Sequence, residues 1–345
     1  MSAGRNKVLQ FRALAIFACT GAAFTLAGQG ALAETQELRI SKGFGMHYLP
    51  LYVMERERLV EKHAAALRLG DIRIRSPIID GGNVINDAML AGALDIAAIG
   101  VPGFLTLWDR AKGKPGIEIL GLTAIGSGSL YLNTRNPRVK TLADFSGQDR
   151  IAVPGIKTSF AAVVLQMAAA QAFGMENYAK LDPLTVGIAH PDAMAAMLSG
   201  KTEINSHFTS PPFSYIELDH PDIHRVINSV EVLGNLTIIM AYTTKKFHDA
   251  NPGLAQAFVA AATDAAGFVA KDKRAAARIY RDLSRVKASE DELMRILDDP
   301  DSRYSAVPDG VMKYADFMHR VGTIRARPES WKELFFPEVH AMPGS

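Results

Sequence analysis

Lys157, Thr158 and Ser159 stand immediately before an apolar stretch that opens at Phe160. An ammonium and two hydroxyls at a helix start can hold an anion. The first-turn N–H groups have no partner inside the helix, and the helix end carries about half a positive charge. A second group is His207, Phe208, Thr209, Ser210, Pro211 and Pro212: an imidazole, two hydroxyls and a rigid proline pair at a strand end. A third is Gly81, Gly82 and Asn83, a turn whose asparagine suits a helix N-cap. Phe44, Gly45, Met46 and His47 offer apolar surface and one more imidazole, with Tyr48 beside them, and Val101 and Pro102 close a further strand end. Together these are the candidate ligand-binding residues. Each keeps a second reading. Thr158 and Ser159 serve equally as helix caps, Lys157 equally faces solvent, and Gly81 and Gly82 make a turn with or without a ligand. His47 equally packs as a satisfied histidine, and Phe44, Met46 and Tyr48 equally belong to the core.

Other chemistries lack their residues. No P-loop and no G-x-S-x-G elbow occurs. Gly43-Phe44-Gly45 starts like a dinucleotide loop, but Tyr48 stands where the third glycine belongs. His190, His220 and His224 adjoin Pro191, Pro221 and Asp222 and read as turn residues. His220 and His224 have a metal-like spacing that Pro221 breaks. The expectation is a binding protein with no cofactor, no metal and no catalytic residue, not an enzyme.

The elements that must position these groups alternate. Leu38–Ser41, Asp71–Ile79, Asp95–Ile99 and Ile117–Ala124 read as strands, with helices over 48–67, 84–91 and up to Ala111 between them. Gly126-Ser127-Gly128 breaks the pattern. Strand and helix resume through 130–133, 150–153, 160–173, 184–186, 192–198, 203–208 and 225–230. Apolar chain returns at Leu236–Tyr242, followed by helices at 252–270, 273–283, 290–297 and 309–321. Such alternation predicts parallel sheets with helices on their faces. The reading is α/β: two lobes joined by two hinge crossings, with a helical C-terminal tail. It places 34–126 and 238–345 in lobe I and the inserted 127–237 in lobe II. Ligands of such sheets bind beyond the carboxyl ends of the strands, where the candidate residues lie.

The start of the chain bears on location. Arg5, Lys7 and Arg12 precede an apolar run to about Leu26 and a small-x-small site, Ala31-Leu32-Ala33. That is the pattern of a secretory signal peptide over 1–33, cleaved after Ala33, and it implies export to the periplasm. No later stretch reads as long and apolar enough to span a bilayer. Cys19, the only cysteine, falls inside this leader, so the mature chain holds no disulfide or thiol nucleophile. Cleavage leaves 35 basic against 36 acidic residues, without the basic excess of a nucleic-acid binder. The 312 remaining residues suffice for two domains.

Several segments, in order, resemble the nitrate/sulfonate/taurine family of solute-binding proteins. They are Leu38-Arg39-Ile40, Leu49–Met54, Asp87–Gly100, Lys140–Gly147, Ala152–Ser159 and Ala193–Gly200. Thr202-Glu203 replaces the acid expected after the last of these. The likeness covers about residues 37–270. It implies a periplasmic-binding-protein fold of type II-like topology, monomeric, which captures a small-molecule anion of sulfonate, nitrate or carboxylate type. The partners it implies are an inner-membrane ABC permease and its cytoplasmic ATPase. Two alternatives stay open: an exported ligand sensor for a membrane kinase, and a protein that binds or makes a thiamine-pyrimidine precursor. A synthetic enzyme of the latter branch uses a cysteine-rich iron motif, which the mature chain lacks.

Overall fold

Leu38 and Ile40 alternate with Glu37 and Arg39, and this period of two makes the first strand. A computed structural model describes residues 34–79, 81–284 and 286–345. The leader, its cleavage after Ala33 and Cys19 lie outside the described residues.

The first lobe opens with β1 (Glu37–Arg39), α1 (Leu49–Glu57), α2 (Leu59–Ala66), β2 (Arg73–Arg75), α3 (Gly82–Leu90), β3 (Ala97–Gly100), α4 (Val101–Ala111) and β4 (Ile119–Ser127). The second holds β5 (Tyr131–Thr134), β6 (Ile151–Val153), α5 (Phe160–Phe173), β7 (Thr185–Gly187), α6 (His190–Ser199), β8 (Ser206–Thr209), α7 (Phe213–Leu218), β9 (His224–Asn228) and α8 (Ser229–Leu233). The chain returns through β10 (Thr237–Thr244), then α9 (Lys245–Ala250), α10 (Pro252–Lys271), α11 (Lys273–Leu283), α12 (Glu290–Leu297) and α13 (Val311–Arg320).

The sheets are mixed rather than parallel throughout. β10 lies between β3 and β4 and runs antiparallel to both. An isolated parallel bridge, Ile40 to Ile96, joins the β1–β2 pair to the same sheet. In the second lobe the order is β7-β6-β8-β5-β9, with β5 antiparallel to β8 and β9. The cause is connectivity. β4 carries the chain out of the first lobe and β10 brings it back, so the two must point oppositely; β5, the arriving strand of the second lobe, is reversed for the same reason. β4 runs on through Gly126 to Ser127, where the sequence reads as broken.

The stretch 48–67 is two helices, not one. Arg58 takes a left-handed φ of 51° between them. Met54 and Val60 are both buried. Six residues is out of step with two helical turns, which need about seven, so a straight helix would turn one of them to solvent. Asn83 lies inside α3, exposed; the N-cap is Gly81. α10 is long and apolar enough to cross a membrane by length and composition, contrary to the sequence reading. It packs against α1 and α2, and half of its apolar window is buried, so it is a core helix of the first lobe. α5 is apolar on all sides because it is enclosed.

The tail braces both lobes. α11 packs on α1, and α12 packs on α11. From α12, Arg295 donates to both carboxylate oxygens of Asp219, at 3.1 and 2.8 Å, at the end of α7. Beyond it, Asp299 accepts from Tyr215, and Asp301 accepts from Asn228 Nδ2 at 2.8 Å. Arg303 bridges Ser127 at the end of β4. The segment 299–303 is thus a third tie across the waist.

At the waist, a Cβ on Gly126 would lie 2.2 Å from the His47 carbonyl oxygen. Backbone cannot yield as a flexible side chain can, so Gly126→Ala should cost at least about 2 kcal/mol of stability. Urea unfolding measures it, and a loss below about 0.5 kcal/mol, the usual range for a neutral surface change, would show the contact is not tight.

Candidate ligand site between the lobes

The chain segments that follow β1, β3, β6 and β8 face one another. Met46 N donates to Pro211 O at 2.7 Å, tying the loop after β1 to the loop after β8. Gly45 adopts φ 107°, and a Cβ there would sit 2.6 Å from Ser210 Oγ, so this crossing is made at a residue without a side chain. Nearby, Tyr48, Gly82, Ile85, Ile99 and Gly100 of the first lobe enclose a cavity with Pro154, Thr158, Ser159 and Phe160 of the second. Its volume is about 20 Å³, roughly enough for one water; the cleft is closed in this conformation. Gly100 allows that closure, since a Cβ there would meet Phe160 Cβ at 2.8 Å.

Three helix starts reach the cavity wall: α3 with N-cap Gly81, α4 with N-cap Gly100 and α5 with N-cap Ser159. Ser159 Oγ accepts from Ala162 N at 3.2 Å. It therefore caps the helix and lines the cavity at once, and the two readings of this residue are compatible. First-turn N–H groups give the cavity positive potential without a formal charge. No lysine or arginine is among the residues lining the cavity.

A buried polar chain adjoins this cavity. His190 starts α6, and its ring lies 6.2 Å from that of Phe160 and stacks on Phe213 at 5.6 Å between centroids. Its Nδ1 is 2.9 Å from His207 Nε2 and 3.1 Å from Thr209 Oγ1. His207 Nδ1 is 2.5 Å from Glu217 Oε1, and Glu217 Oε2 accepts from Asn133 Nδ2 at 3.0 Å. His190 Nε2, His47 Nδ1 and Ser210 Oγ are buried without a hydrogen-bond partner among the described residues. Such atoms cost about 1–3 kcal/mol each when left unpaired, so they mark where a bound molecule would contribute most. Burial lowers the His47 pKa to about 4, and it lowers that of His190 well below the ordinary value, helped by His207 and His47. Both rings are neutral near pH 7.

The candidate residues divide by position. Gly82, Thr158 and Ser159 line the cavity. Gly45, Met46, His47, His207, Thr209 and Ser210 are buried at or beside the meeting of the loops. Val101 and Pro102 are buried in the first turn of α4, and Phe44 is half-buried. Asn83 and Lys157 are exposed, and the Lys157 charge acts on Asp182. His190 is the main residue that the sequence reading passes over as a turn. Its signal was present: Pro191 and Asp192 in the first turn mark a helix start. Glu217 and Asn133 have no such signal, because only the pairing of β5 with β8 and the packing of α7 bring them to His207. His220 and His224 turn to different partners: His220 Nδ1 accepts from Asp222 N, and His224 Nε2 meets Val139 O at 2.7 Å.

Two mixed sheets with matching strand orders, the second inserted into the first, and a cleft at the strand ends are the periplasmic-binding-protein fold. Among solved structures, the alkanesulfonate-binding protein SsuA from Xanthomonas axonopodis pv. citri, bound to MOPS, matches with a TM-score of 0.67 at 20% identity, over 86% of this chain and 96% of that one. The periplasmic nitrate-binding protein NrtA from Synechocystis PCC 6803 matches with a TM-score of 0.68 at 13% identity, over 88% and 87%. The periplasmic aliphatic sulphonate-binding protein SsuA from Escherichia coli matches at 0.64 and 15%, over 88% and 92%. No family model matches the sequence, and no curated protein matches it as a relative. The likeness is one of fold.

Two outcomes follow from this geometry. Gly100→Val should wedge the lobes apart against Phe160 and raise the radius of gyration in small-angle scattering; an unchanged radius would mean Phe160 yields instead. The buried His47 gives a pH dependence of definite sign. Its folded pKa of about 4 is below the unfolded value near 6.5. Its contribution is therefore complete above pH 6.5 and is lost as pH falls toward 4, by up to about 3 kcal/mol. His190 acts in the same direction. Urea unfolding across that window should show the loss, and His47→Gln should reduce it to the share of His190; an equal slope in that variant would exclude His47 as a source.

Proposed function

We propose that the chain is an exported solute receptor that captures a small anion between its lobes and hands it to an ABC-type permease driven by a cytoplasmic ATPase. The observation that carries this reading is the cavity walled from both lobes, with three helix starts directed to it. Hinged lobes that close over a guest provide both affinity and a recognisable loaded shape for a membrane partner. The division into 34–126 and 238–345 against 127–237 belongs to this proposal, with the crossings as hinges. The solved SsuA and NrtA structures, named for alkanesulfonate and nitrate binding, support an oxyanion as the ligand class. So does the cavity: its walls offer neutral donors and helix N-termini, which suit an anion that must be released as well as held. Binding, rather than catalysis, accounts for the site as it stands, and a monomer with the leader removed is the expected working form.

The test is to express residues 34–345, identify co-purifying small molecules by mass spectrometry, and screen melting temperature with nitrate, taurine, longer alkanesulfonates, aromatic carboxylates and pyrimidines. A ligand specific to the native state at 100 times its Kd adds about 2.7 kcal/mol of stability, a shift of several degrees. A screen in which no compound raises the midpoint, with nothing co-purifying, would overturn the proposal.

A further inference from the structure

The proton positions along Glu217, His207 and His190 decide what the cleft can recognise. Glu217 and His207 are 0% exposed and His190 is 1% exposed, so no bulk water reaches the chain. Among the described residues, no lysine or arginine hydrogen-bonds to any of the three; the polar contacts are Asn133 Nδ2 on Glu217 and Thr209 Oγ1 on His190. Two proton inventories fit the distances. With a carboxylate and a neutral His207, the one His207 proton faces Glu217. His207 Nε2 then accepts from His190 Nδ1–H, and His190 Nε2 is a bare lone pair. With one more proton on the Glu217–His207 pair, His207 Nε2–H donates to His190 Nδ1, and a neutral His190 must carry its proton on Nε2. That result holds whether the extra proton makes an imidazolium beside a carboxylate or a neutral pair.

Charge balance separates the two. The first inventory buries a net negative charge that no cation compensates, which is costly in a site closed to water. The second leaves the pair neutral overall. The 2.5 Å separation between Glu217 Oε1 and His207 Nδ1 is that of a strong, charge-assisted or proton-sharing contact. Nε2 diverges from Nδ1 around the imidazole ring and so leads away from His207. His190 packs against Phe160 of the cavity wall, and Nε2 is buried without a partner among the described residues.

We propose that His190 Nε2–H is the specificity-determining hydrogen-bond donor of the cleft, and that Glu217 acts as a positioning residue which fixes this tautomer through His207. The cleft therefore selects a ligand that presents an acceptor oxygen, as an oxyanion does, over one that presents an N–H or O–H there. This deepens the capture reading and rests on it for the identity of the cleft as the binding site.

Long-range proton–nitrogen NMR spectra of the ¹⁵N-labelled chain 34–345, without ligand, read each ring's tautomer directly. The expected result is His190 protonated at Nε2 and bare at Nδ1; a proton on Nδ1 overturns the proposal. Glu217→Gln, whose amide can donate to His207 Nδ1, should keep His190 in the same tautomer, and a switch to Nδ1–H in that variant also overturns it. Calorimetry with ethanesulfonate supplies the second readout. His190→Phe should weaken binding at least about tenfold, while His190→Gln, which places an amide N–H near the lost Nε2–H, should stay within about threefold of wild type. Equal affinity of the phenylalanine variant and wild type would remove His190 from the site. Should wild type bind neither ethanesulfonate nor any screened oxyanion while the spectra show Nε2–H, the capture reading fails and the tautomer assignment stands, so the two failures are separable.

Discussion

A chain that leaves one sheet to build another must come back, and the return strand governs this molecule. β10 enters between β3 and β4 and pairs with both in the reverse sense. Its place beside β4 puts the exit and the return next to each other, so two short crossings join the lobes at the edge of the cleft. The same arrangement recurs with β5 in the second lobe. Because every parallel strand then ends toward the other lobe, the loops after β1, β3, β6 and β8 meet. The close approach of His47 to Gly126, Gly45 to Ser210 and Gly100 to Phe160 depends on that alignment. Each of these contacts has a glycine on one side; at Gly45 and Gly100 a Cβ would press on the other lobe, and at Gly126 it would press on the His47 backbone of the same lobe.

The tail adds a constraint that two crossings alone do not supply. α11 and α12 are anchored on the first lobe through α1, yet Arg295, Asp299 and Asp301 hold α7 and β9 of the second. The exposed Arg295–Asp219 pair contributes little to stability by itself, as surface ion pairs do. The part-buried Tyr215–Asp299 and Asn228–Asp301 hydrogen bonds carry more of the tie. They join the tail to the second lobe across the waist.

Polarity inside the closed cleft is arranged without formal cations. Three helix starts, two hydroxyl-bearing loops and buried imidazoles supply the polar groups in and beside it. Burial keeps His47 and His190 neutral, and Glu217 with Asn133 orders the far end of the chain.

Much of the fold was legible in the sequence. Helix limits at 273–283 and 290–297 follow from caps and apolar periodicity, and those of 160–173 from its flanking Ser159 and Gly174, all of them local properties. The placing of Gly82 at a helix start and of Thr158, Ser159 and Ser210 in the segments after strands follows from the order of elements, whereas His207 and Thr209 fall inside β8 rather than beyond it. The sequence also determined that the described chain has no cysteine chemistry. Only tertiary structure decided the reversed strands, the split at Arg58, the burial of α10, the exposure of Lys157 and the joining of His190 to Glu217. Strand direction depends on where a distant segment docks, and a buried hydrogen-bond chain depends on residues 10–84 positions apart meeting within 3 Å. Periodicity and capping act over one or two turns, whereas these features are fixed by packing between elements whose separation along the chain carries no imprint in either.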